Sequence, residues 1–296
     1  MTNLFKAFFF KVKKDISVRI TLFIGLGFAI LIPTILFLID LGISFLDGDG
    51  GSIEHMLCTG QSLLISSFSP TQNFGIAIPI NLITFTVAEF TSGTIRNKII
   101  SGYSKIKAYV GLYLTGLVYT LALISAYVLC TFGLGCAYGG FNPKGQFFSI
   151  ASMGYGDIGP NFIWQFVIIA LFAYVMIASL TIFFATLFRH IGPSIPVVII
   201  LLLGFVGLAS IAATLNLFAT MMEGEDAGME VQIMKAAYQF LRVVNPLHAL
   251  TNFDTNEAGA LIYKTDTFII SIVNNILWSG AFFGFGLLIF HKRDIK

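Results

Sequence analysis

Charged residues are scarce in this sequence: Asp, Glu, Lys and Arg together make up 11% of the 296 residues. Soluble domains carry about 25% charged residues, because their surfaces face water. Apolar residues account for 56% of the chain, and the mean hydropathy is +0.88. This composition excludes most soluble folds and indicates that a lipid bilayer surrounds much of the molecule.

The motifs of nucleotide and metal chemistry are also missing. The sequence contains no G-x-x-x-x-G-K-[ST] phosphate loop, so the chain does not bind ATP in that way. It has no H-E-x-x-H or other zinc spacing, and we predict neither a metal site nor a catalytic residue. Only Asp40 and Glu89 fall close to apolar runs, each near an end, which disfavours a proton relay. A membrane-embedded enzyme is therefore a weak alternative.

What the chain has instead is a series of long uncharged runs. A membrane-spanning helix needs about 20 mostly apolar residues, and no run shows the strict alternation of a barrel strand. We predict an all-α polytopic membrane protein, one transmembrane domain over 1–296. Its six spans lie near 18–46, 66–90, 107–134, 161–188, 194–220 and 266–290.

The distribution of basic residues predicts the orientation of these spans. Thirteen of the 17 Lys and Arg residues lie in the N-terminal stretch, the second-to-third loop, the fourth-to-fifth turn and the C-terminal tail. Because cytoplasmic loops are enriched in Lys and Arg, both termini are predicted to be cytoplasmic. The expected location is the plasma or inner membrane of the cell.

Two segments outside the spans are amphipathic. Residues 3–14 are predicted to form a helix on the inner membrane surface, or else simply a basic flank of the first span. Residues 228–244 predict a helix at the outer face, lying on the membrane or capping the bundle, which ends before Asn245-Pro246. Cys58 and Cys136 both fall near the outer face, where they either form a disulfide or remain isolated small apolar residues.

The loop between the second and third spans predicts a short cytoplasmic helix over 91–101. Ser92 would cap its start, and Gly102 would end it in the left-handed conformation. Ser104 would then cap the third span. One face of the helix would be apolar and the other polar, formed respectively by Ile95, Ile99 and Ile100 and by Arg96, Asn97 and Lys98.

Residues 152–160, SMGYGDIGP, resemble the selectivity filter of potassium channels, in which carbonyl rings replace the ion's hydration shell. A passive potassium channel using Gly154 to Gly156 is therefore an alternative function. The preceding residues would make a poor pore helix, however, because Pro143 and Gly145 lie near its start. A glycine-tyrosine turn in an outer loop is the simpler interpretation.

Residues 89–105, EFTSGTIRNKIISGYSK, are similar to the segment between the second and third spans of ABC-2 type permeases. In that family an acidic residue precedes Gly-Thr-Leu/Ile-Arg-Asn, and a turn and a basic residue follow. The C-terminal FHKRDI and the Asn245-Pro246-Leu247 segment before the last span also fit this family.

The resemblance implies the membrane subunit of an ATP-driven exporter, with ATP and Mg²⁺ bound by a separate ATPase subunit. The helix over 91–101 would be the coupling helix that docks on the ATPase, and Glu89 would pair with Arg96 or Lys98. The expected cargo is a peptide, a drug or a lipid-like molecule. The coupling residues would be Glu89, Gly93, Thr94, Ile95, Arg96, Asn97 and Lys98, with Arg96, Asn97 and Lys98 directed toward the ATPase.

Permeases of this family act as pairs, so a second copy or a paralogue is an expected partner, together with membrane lipid but not nucleic acid. Gly280 and Gly284 form a G-x-x-x-G on the sixth span, which suits close packing between copies or within one bundle. Polar side chains within the spans would line a substrate path or make hydrogen bonds between helices, worth about 0.6 kcal/mol each. They are Asn81, Thr84, Gln165, Asn274 and Asn275.

Overall fold

The computed structural model describes ten segments of the chain: residues 10, 16–46, 58–68, 73–141, 147–149, 154–156, 161–222, 228–250, 252–255 and 261–293. The surface helix predicted over 3–14 lies almost entirely outside these residues. Within them, nine α-helices account for most of the chain. They are α1 (Ile16–Leu46), α2 (Gly60–Phe68), α3 (Asn73–Thr91), α4 (Thr94–Ile100), α5 (Lys105–Gly139), α6 (Phe162–Phe188), α7 (Ile191–Met221), α8 (Met229–Val244) and α9 (Thr265–Lys292).

Two short antiparallel hairpins complete the regular structure. In the first, β1 (Phe147–Ser149) pairs with β2 (Gly154–Gly156), with Phe148 opposite Tyr155. In the second, β3 (Asp254–Thr255) pairs with β4 (Leu261–Ile262). Both hairpins are part of the connections between long helices.

Helices α1, α5, α6, α7 and α9 are each long and apolar enough to cross a membrane, and the number rises to six if the bent pair α3–α4 counts as one span. The predicted class, a multi-pass helical membrane protein, is therefore confirmed. The ends of the five long helices lie within three residues of the predicted spans, except that α5 continues five residues further, to Gly139.

The second predicted span, 66–90, is not one continuous helix. The chain forms α2, which ends at Phe68, and α3, which begins at Asn73. Pro70 follows shortly after α2, and a proline both lacks the N–H of a helical hydrogen bond and disfavours helix in the residue before it. Helix α2 packs against the end of α5, where a Cβ added at Gly135 would lie 3.0 Å from the Cα of Gly60.

Helix α6 forms the centre of the bundle. In its most apolar stretch 67% of the residues are buried, against 17–39% in the other four long helices. It contacts α3, α5, α7 and α9, and the α6–α9 pair is the most extensive in the molecule. The exposed apolar side chains lie mainly on α1, α7, α8 and α9, which together form the outer surface.

Helix α8 packs against α7 on the outside of the bundle, and Val231 is its one buried residue. Just after α8, the Asn245 side chain donates to the carbonyl of Phe205, and Asn252 donates to that of Ala209. Phe205 is sixteen residues from the end of α7, or about 24 Å at the helical rise of 1.5 Å per residue. Helix α8 therefore runs back alongside α7 and ends at about the middle of α7. The backbone at the end of α8 is satisfied by α9, because the Asn275 amide and the Trp278 indole donate to the carbonyls of Pro246 and Val244.

Candidate functional site

Several helix ends converge at one end of the bundle. The Lys105 Nζ, at the start of α5, donates to the carbonyls of His291 and Arg293, at 3.3 and 3.2 Å, where α9 ends. The Arg293 Nη1 donates in turn to the Leu187 carbonyl near the end of α6, at 2.5 Å. The end of α3 joins them, since the Phe90 and Phe290 ring centroids are 5.9 Å apart. We call this end of the bundle, together with α4, the basic end.

The basic end is rich in positive charge. Among the residues that the structure describes there, Glu89 is the only acid, and the cations are Arg96, Lys98, Lys105, Lys107, Arg189, Lys292 and Arg293. Cations are favourable beside helix C-termini, because the helix dipole leaves partial negative charge on the last carbonyls. Arg189 lies between α6 and α7, 5.3 Å from the centroid of the Phe90 ring. Burial, and secondarily the neighbouring Arg293, lowers the pKa of the Arg189 guanidinium.

Helix α4 lies at this end, bent by 50° from α3. Gly93 makes the bend, with a φ of +67° that glycine adopts without strain. The predicted cap at Ser92 is wrong, because its hydroxyl donates to the Ala88 carbonyl and α4 has no side-chain cap. The other two predicted signals are confirmed: Gly102 has a φ of +96°, and the Ser104 hydroxyl accepts from the Lys107 N–H at the start of α5.

The faces of α4 follow the prediction only in part. Ile95 is buried and Arg96 and Asn97 are exposed, but Ile100 is 73% exposed and does not belong to the packed face. Lys98 also turns inward, with its Nζ 3.3 Å from the Oε2 of the fully buried Glu89. A buried carboxylate requires a counter-charge, so Glu89 draws Lys98 away from the outer face. Arg96 and Asn97 are thus the exposed polar residues of the short helix.

A second polar region follows α8. We define the tip segment as residues 245–250 together with Asn252. Besides the two hydrogen bonds to α7, side chains of α9 bind the backbone here: the Asn275 Nδ2 donates to the Pro246 carbonyl at 3.1 Å, and the Trp278 Nε1 to the Val244 carbonyl at 3.0 Å. The Tyr263 hydroxyl donates to the Ala249 carbonyl. Non-helical backbone is tolerated at membrane depth only where protein or a water-filled cavity satisfies it, and here side chains of the same chain do so.

The local sequence explains the shape of the tip segment. Pro246 cannot continue α8, and the Asn245 Oδ1 accepts from the Leu247 N–H at 3.0 Å, which closes a tight turn. His248 is buried in a short 3₁₀ turn, 5.5 Å from the ring of Tyr238. Sequence reasoning identified the end of α8 but missed Asn245, His248 and Asn252 as buried groups. Their cluster just after the amphipathic helix was the available signal.

The structure brings only part of the predicted substrate path together. Asn274 and Asn275 are both buried on α9, and Asn275 contacts the tip segment. Asn81 and Thr84 lie on α3, which packs mainly against α1, α5, α6 and α7, and the Thr84 hydroxyl donates to the carbonyl of Asn81 in its own helix. Gln165 is half-buried in the first turn of α6.

None of the residues that the structure describes packs closely against the G-x-x-x-G of α9. A Cβ added at Gly280 or Gly284 would meet nothing within 4 Å. The close approaches are made elsewhere, where Gly286 contacts the Tyr109 hydroxyl and where Gly116 faces Ile182 and Leu82. Both glycines of the motif therefore remain open on the surface of α9.

The remaining predicted features lie at or near the loops. The Gly154–Gly156 segment is a β-strand paired with Phe147–Ser149, so these latter residues are not part of a pore helix. Cys58 and Cys136 are free thiols, and the Cys58 Sγ donates to the Pro33 carbonyl at 3.2 Å. In the described segments no group of three His, Cys, Asp or Glu residues is placed to hold a metal ion.

No protein-family model matches this chain, and no curated protein or solved structure matches it either. The resemblance to ABC-2 type permeases therefore rests on the motif at residues 89–105 and on the helical layout.

Proposed function

We propose that this chain is the membrane subunit of an ATP-driven ABC exporter, with six spans and both termini in the cytoplasm of the cell. It would move an amphipathic or hydrophobic cargo across the cell membrane, and a separate ATPase subunit would bind ATP and Mg²⁺. The shape of the basic end is the observation that carries this proposal. It offers a partner a short exposed helix that is mechanically joined to the bundle.

Two connections join α4 to the bundle. On one side the ion pair between Glu89 and Lys98 ties α4 to the end of α3. On the other side the turn after Ile100 leads within a few residues to the start of α5 at Lys105. Because both connections are short, a force on the exposed side chains of Arg96 and Asn97 would reach α3 and α5 together. This is the property required of a helix that couples a cytoplasmic motor to membrane helices.

Pairing of two copies is supported by the open glycines on α9. Gly280 and Gly284 lie one helical turn apart with free space beside each, and small residues at this spacing let two membrane helices approach closely. The apolar residues around them, including Ile276 and Leu277, are exposed. A dimer contact along α9 would cover this surface.

The alternative function, a potassium channel, has less support. A selectivity filter exposes successive carbonyls to the ion, whereas Gly154–Gly156 pairs as a strand with Phe147–Ser149. The exporter proposal uses the basic end, and the channel proposal has no role for it.

The test is co-purification with a partner ATPase. The chain is expressed with the ATPase encoded nearest to it, and both the recovered ATPase and its ATP turnover are measured. We expect Arg96→Glu to reduce both about tenfold or more. An ATPase surface that accepts the Arg96 cation would then face an anion, and a like-charge contact across an interface costs several kcal/mol. Lys107→Glu is the matched control, since it reverses an exposed charge of the same end outside α4, and it should leave both nearly unchanged.

Two results would contradict the proposal. One is an equal effect of the two charge reversals, which would reduce the basic end to a general electrostatic surface. The other is a potassium current from the purified chain alone in a planar bilayer that Gly156→Ala abolishes.

A further inference from the structure

The interior-facing stripe of α9 is polar over the half nearest its start. It carries Thr267, Ser271, Asn274, Asn275 and Ser279, all buried. The facing helix α6, in contrast, buries mostly apolar side chains. A polar group moved into an apolar interior loses free energy unless it finds a hydrogen-bond partner, so each of these side chains needs one.

Part of the stripe is satisfied within the chain. The Ser271 hydroxyl donates to the Thr267 carbonyl at 2.7 Å. The Asn275 Nδ2 donates both to the Pro246 carbonyl and to the Ser271 carbonyl, at 3.1 and 2.9 Å. These bonds hold the tip segment against α9. They also provide hydrogen-bond partners for the Nδ2 of Asn275.

Three polar atoms of the stripe are buried with no hydrogen-bond partner among the residues that the structure describes: Asn274 Nδ2, Asn275 Oδ1 and Ser279 Oγ. Their residues are 8%, 0% and 9% exposed. Asn275 and Ser279 are four residues apart and hence neighbours on the helix surface, about 6 Å apart. A little more than one turn of α9 therefore offers a donor, an acceptor and a hydroxyl, and the middle residue of the three, Asn275, contacts the tip segment.

The surroundings of this turn favour an uncharged ligand. The nearest described ions toward the start of α9 are Arg242 and Asp266, which form a pair at 2.7 Å and neutralise each other. On the other side lie aromatic rings: Trp278 is 5.7 Å from Phe205 and 5.4 Å from Phe282, measured between centroids. A matching ligand has an N–H and a C=O close together and apolar groups on either side.

We propose that Asn274, Asn275 and Ser279 bind the main-chain amides of an uncharged, apolar peptide segment near the C-terminal end of α8. The amide N–H would donate to the Asn275 Oδ1, and the amide carbonyl would accept from the Asn274 Nδ2. This inference rests on the proposed transport function only in taking the peptide as the cargo, since binding itself requires no ATPase.

The test uses the full chain in lipid nanodiscs without any ATPase. The probes are a dansyl-labelled hexaleucine amide and the same peptide with every backbone nitrogen methylated, which keeps the apolar surface and removes the donors. Fluorescence titration should give a Kd about tenfold lower for the unmethylated peptide, which corresponds to about 1.4 kcal/mol. Asn274→Leu should raise that Kd about tenfold and leave the melting temperature unchanged or higher, because the Asn274 Nδ2 has no hydrogen-bond partner among the described residues.

Thr120→Val is the matched control. The Thr120 hydroxyl is also buried without a partner among the described residues, but on α5, so this variant should gain stability and bind both peptides like the wild type. Equal binding of the two peptides would overturn the proposal, because water or simple partition into the apolar surface would then account for the site. Wild-type binding by Asn274→Leu would overturn it as well. If the chain binds the peptide but fails the co-purification test with the ATPase, the proposed function is contradicted and the peptide site is not.

Discussion

The basic end and the tip segment both contain buried hydrogen-bonding groups, but they differ in charge and in depth. At the basic end the groups are ions: the buried Glu89 carboxylate meets Lys98, and the more exposed Lys105 and Arg293 bind carbonyls at helix ends. At the tip segment they are mainly neutral amides, from Asn245, Asn252 and Asn275, and they bind carbonyls near the middle of the bundle.

Depth explains this difference. An ion near the end of a span can keep part of its hydration, whereas an ion at the bilayer centre is costly by at least about 2.5 kcal/mol. A neutral amide at depth needs only a partner, and each interhelical hydrogen bond contributes about 0.6 kcal/mol. The ion pair and the ion–carbonyl bonds of the basic end therefore suit a rigid connection between α4 and the bundle. The tip segment is held by several weak bonds and is suited to rearrangement.

The largest expected effect concerns which side of the membrane each region faces. We expect Arg96→Cys to react with a membrane-impermeant maleimide only after the cells are permeabilised, and Met229→Cys to react in intact cells. Both positions are exposed in the structure, Met229 by 77%, so access depends on the side and not on burial. The background for both variants lacks the native cysteines, Cys58, Cys130 and Cys136. The opposite labelling pattern would reverse the orientation of the bundle.

The second effect separates the two partners of the ion pair at the basic end. Lys98→Met should lower the free energy of unfolding by about 3–5 kcal/mol, because it leaves a fully buried carboxylate without this counter-charge. Glu89→Leu should cost less, since the side chain of Lys98 retains 13% exposure and can turn toward water. Reversible unfolding in mixed micelles measures both losses.

The double variant Glu89→Leu with Lys98→Met is the control for this pair. Replacing a buried ion pair by apolar residues is often nearly neutral, so the double variant should recover most of the stability. Additive losses would show that each residue acts through other contacts and would weaken the mechanical role of the pair.

A smaller effect is expected at the tip segment. Asn275→Leu should lower the free energy of unfolding by about 1–3 kcal/mol, because the Pro246 carbonyl loses its donor at membrane depth. Asn274→Leu, on the adjacent residue, should show no such loss, since the Nδ2 atom that it removes has no hydrogen-bond partner in the described part of the chain. Equal losses from the two variants would mean that the tip segment does not depend on the Asn275 bond.

The sequence predicted the long helices well because their signal is local. Uncharged runs of 20 or more residues locate α1, α5, α6, α7 and α9, and Gly102 and Ser104 mark turns whose chemistry depends on neighbouring residues. The break between α2 and α3 carried a local signal as well, in Pro70, which the count of uncharged residues overrode.

Features that depend on distant partners were not predictable in the same way. The amphipathic pattern of α8 fits a helix at a membrane surface as well as one packed along the side of a bundle, and the bonds to the carbonyls of Phe205 and Ala209 distinguish the two. Lys98 likewise has the spacing of an outward residue, but the burial of Glu89 turns it inward. The motif located α4, and the tertiary structure decided which of its side chains are exposed.

The smallest effect tests the pair that links α8 to α9, in which the Arg242 Nη2 lies 2.7 Å from the Asp266 Oδ2. The Asp266 side chain is 59% exposed, and exposed ion pairs contribute about 0.2–1 kcal/mol. Asp266→Asn should therefore lower the free energy of unfolding by no more than about 1 kcal/mol, and the loss should shrink in 0.5 M salt because of screening. Arg242 keeps its hydrogen bond to the Thr267 hydroxyl at 2.6 Å, so its guanidinium retains a partner.

The control for a charge change alone is Glu230→Gln, which neutralises an exposed acid in the first turn of α8. A loss above about 2 kcal/mol that salt does not reduce would place this pair in a medium of low dielectric constant. The division between an ionic end and a neutral interior would then fail at the C-terminal end of α8.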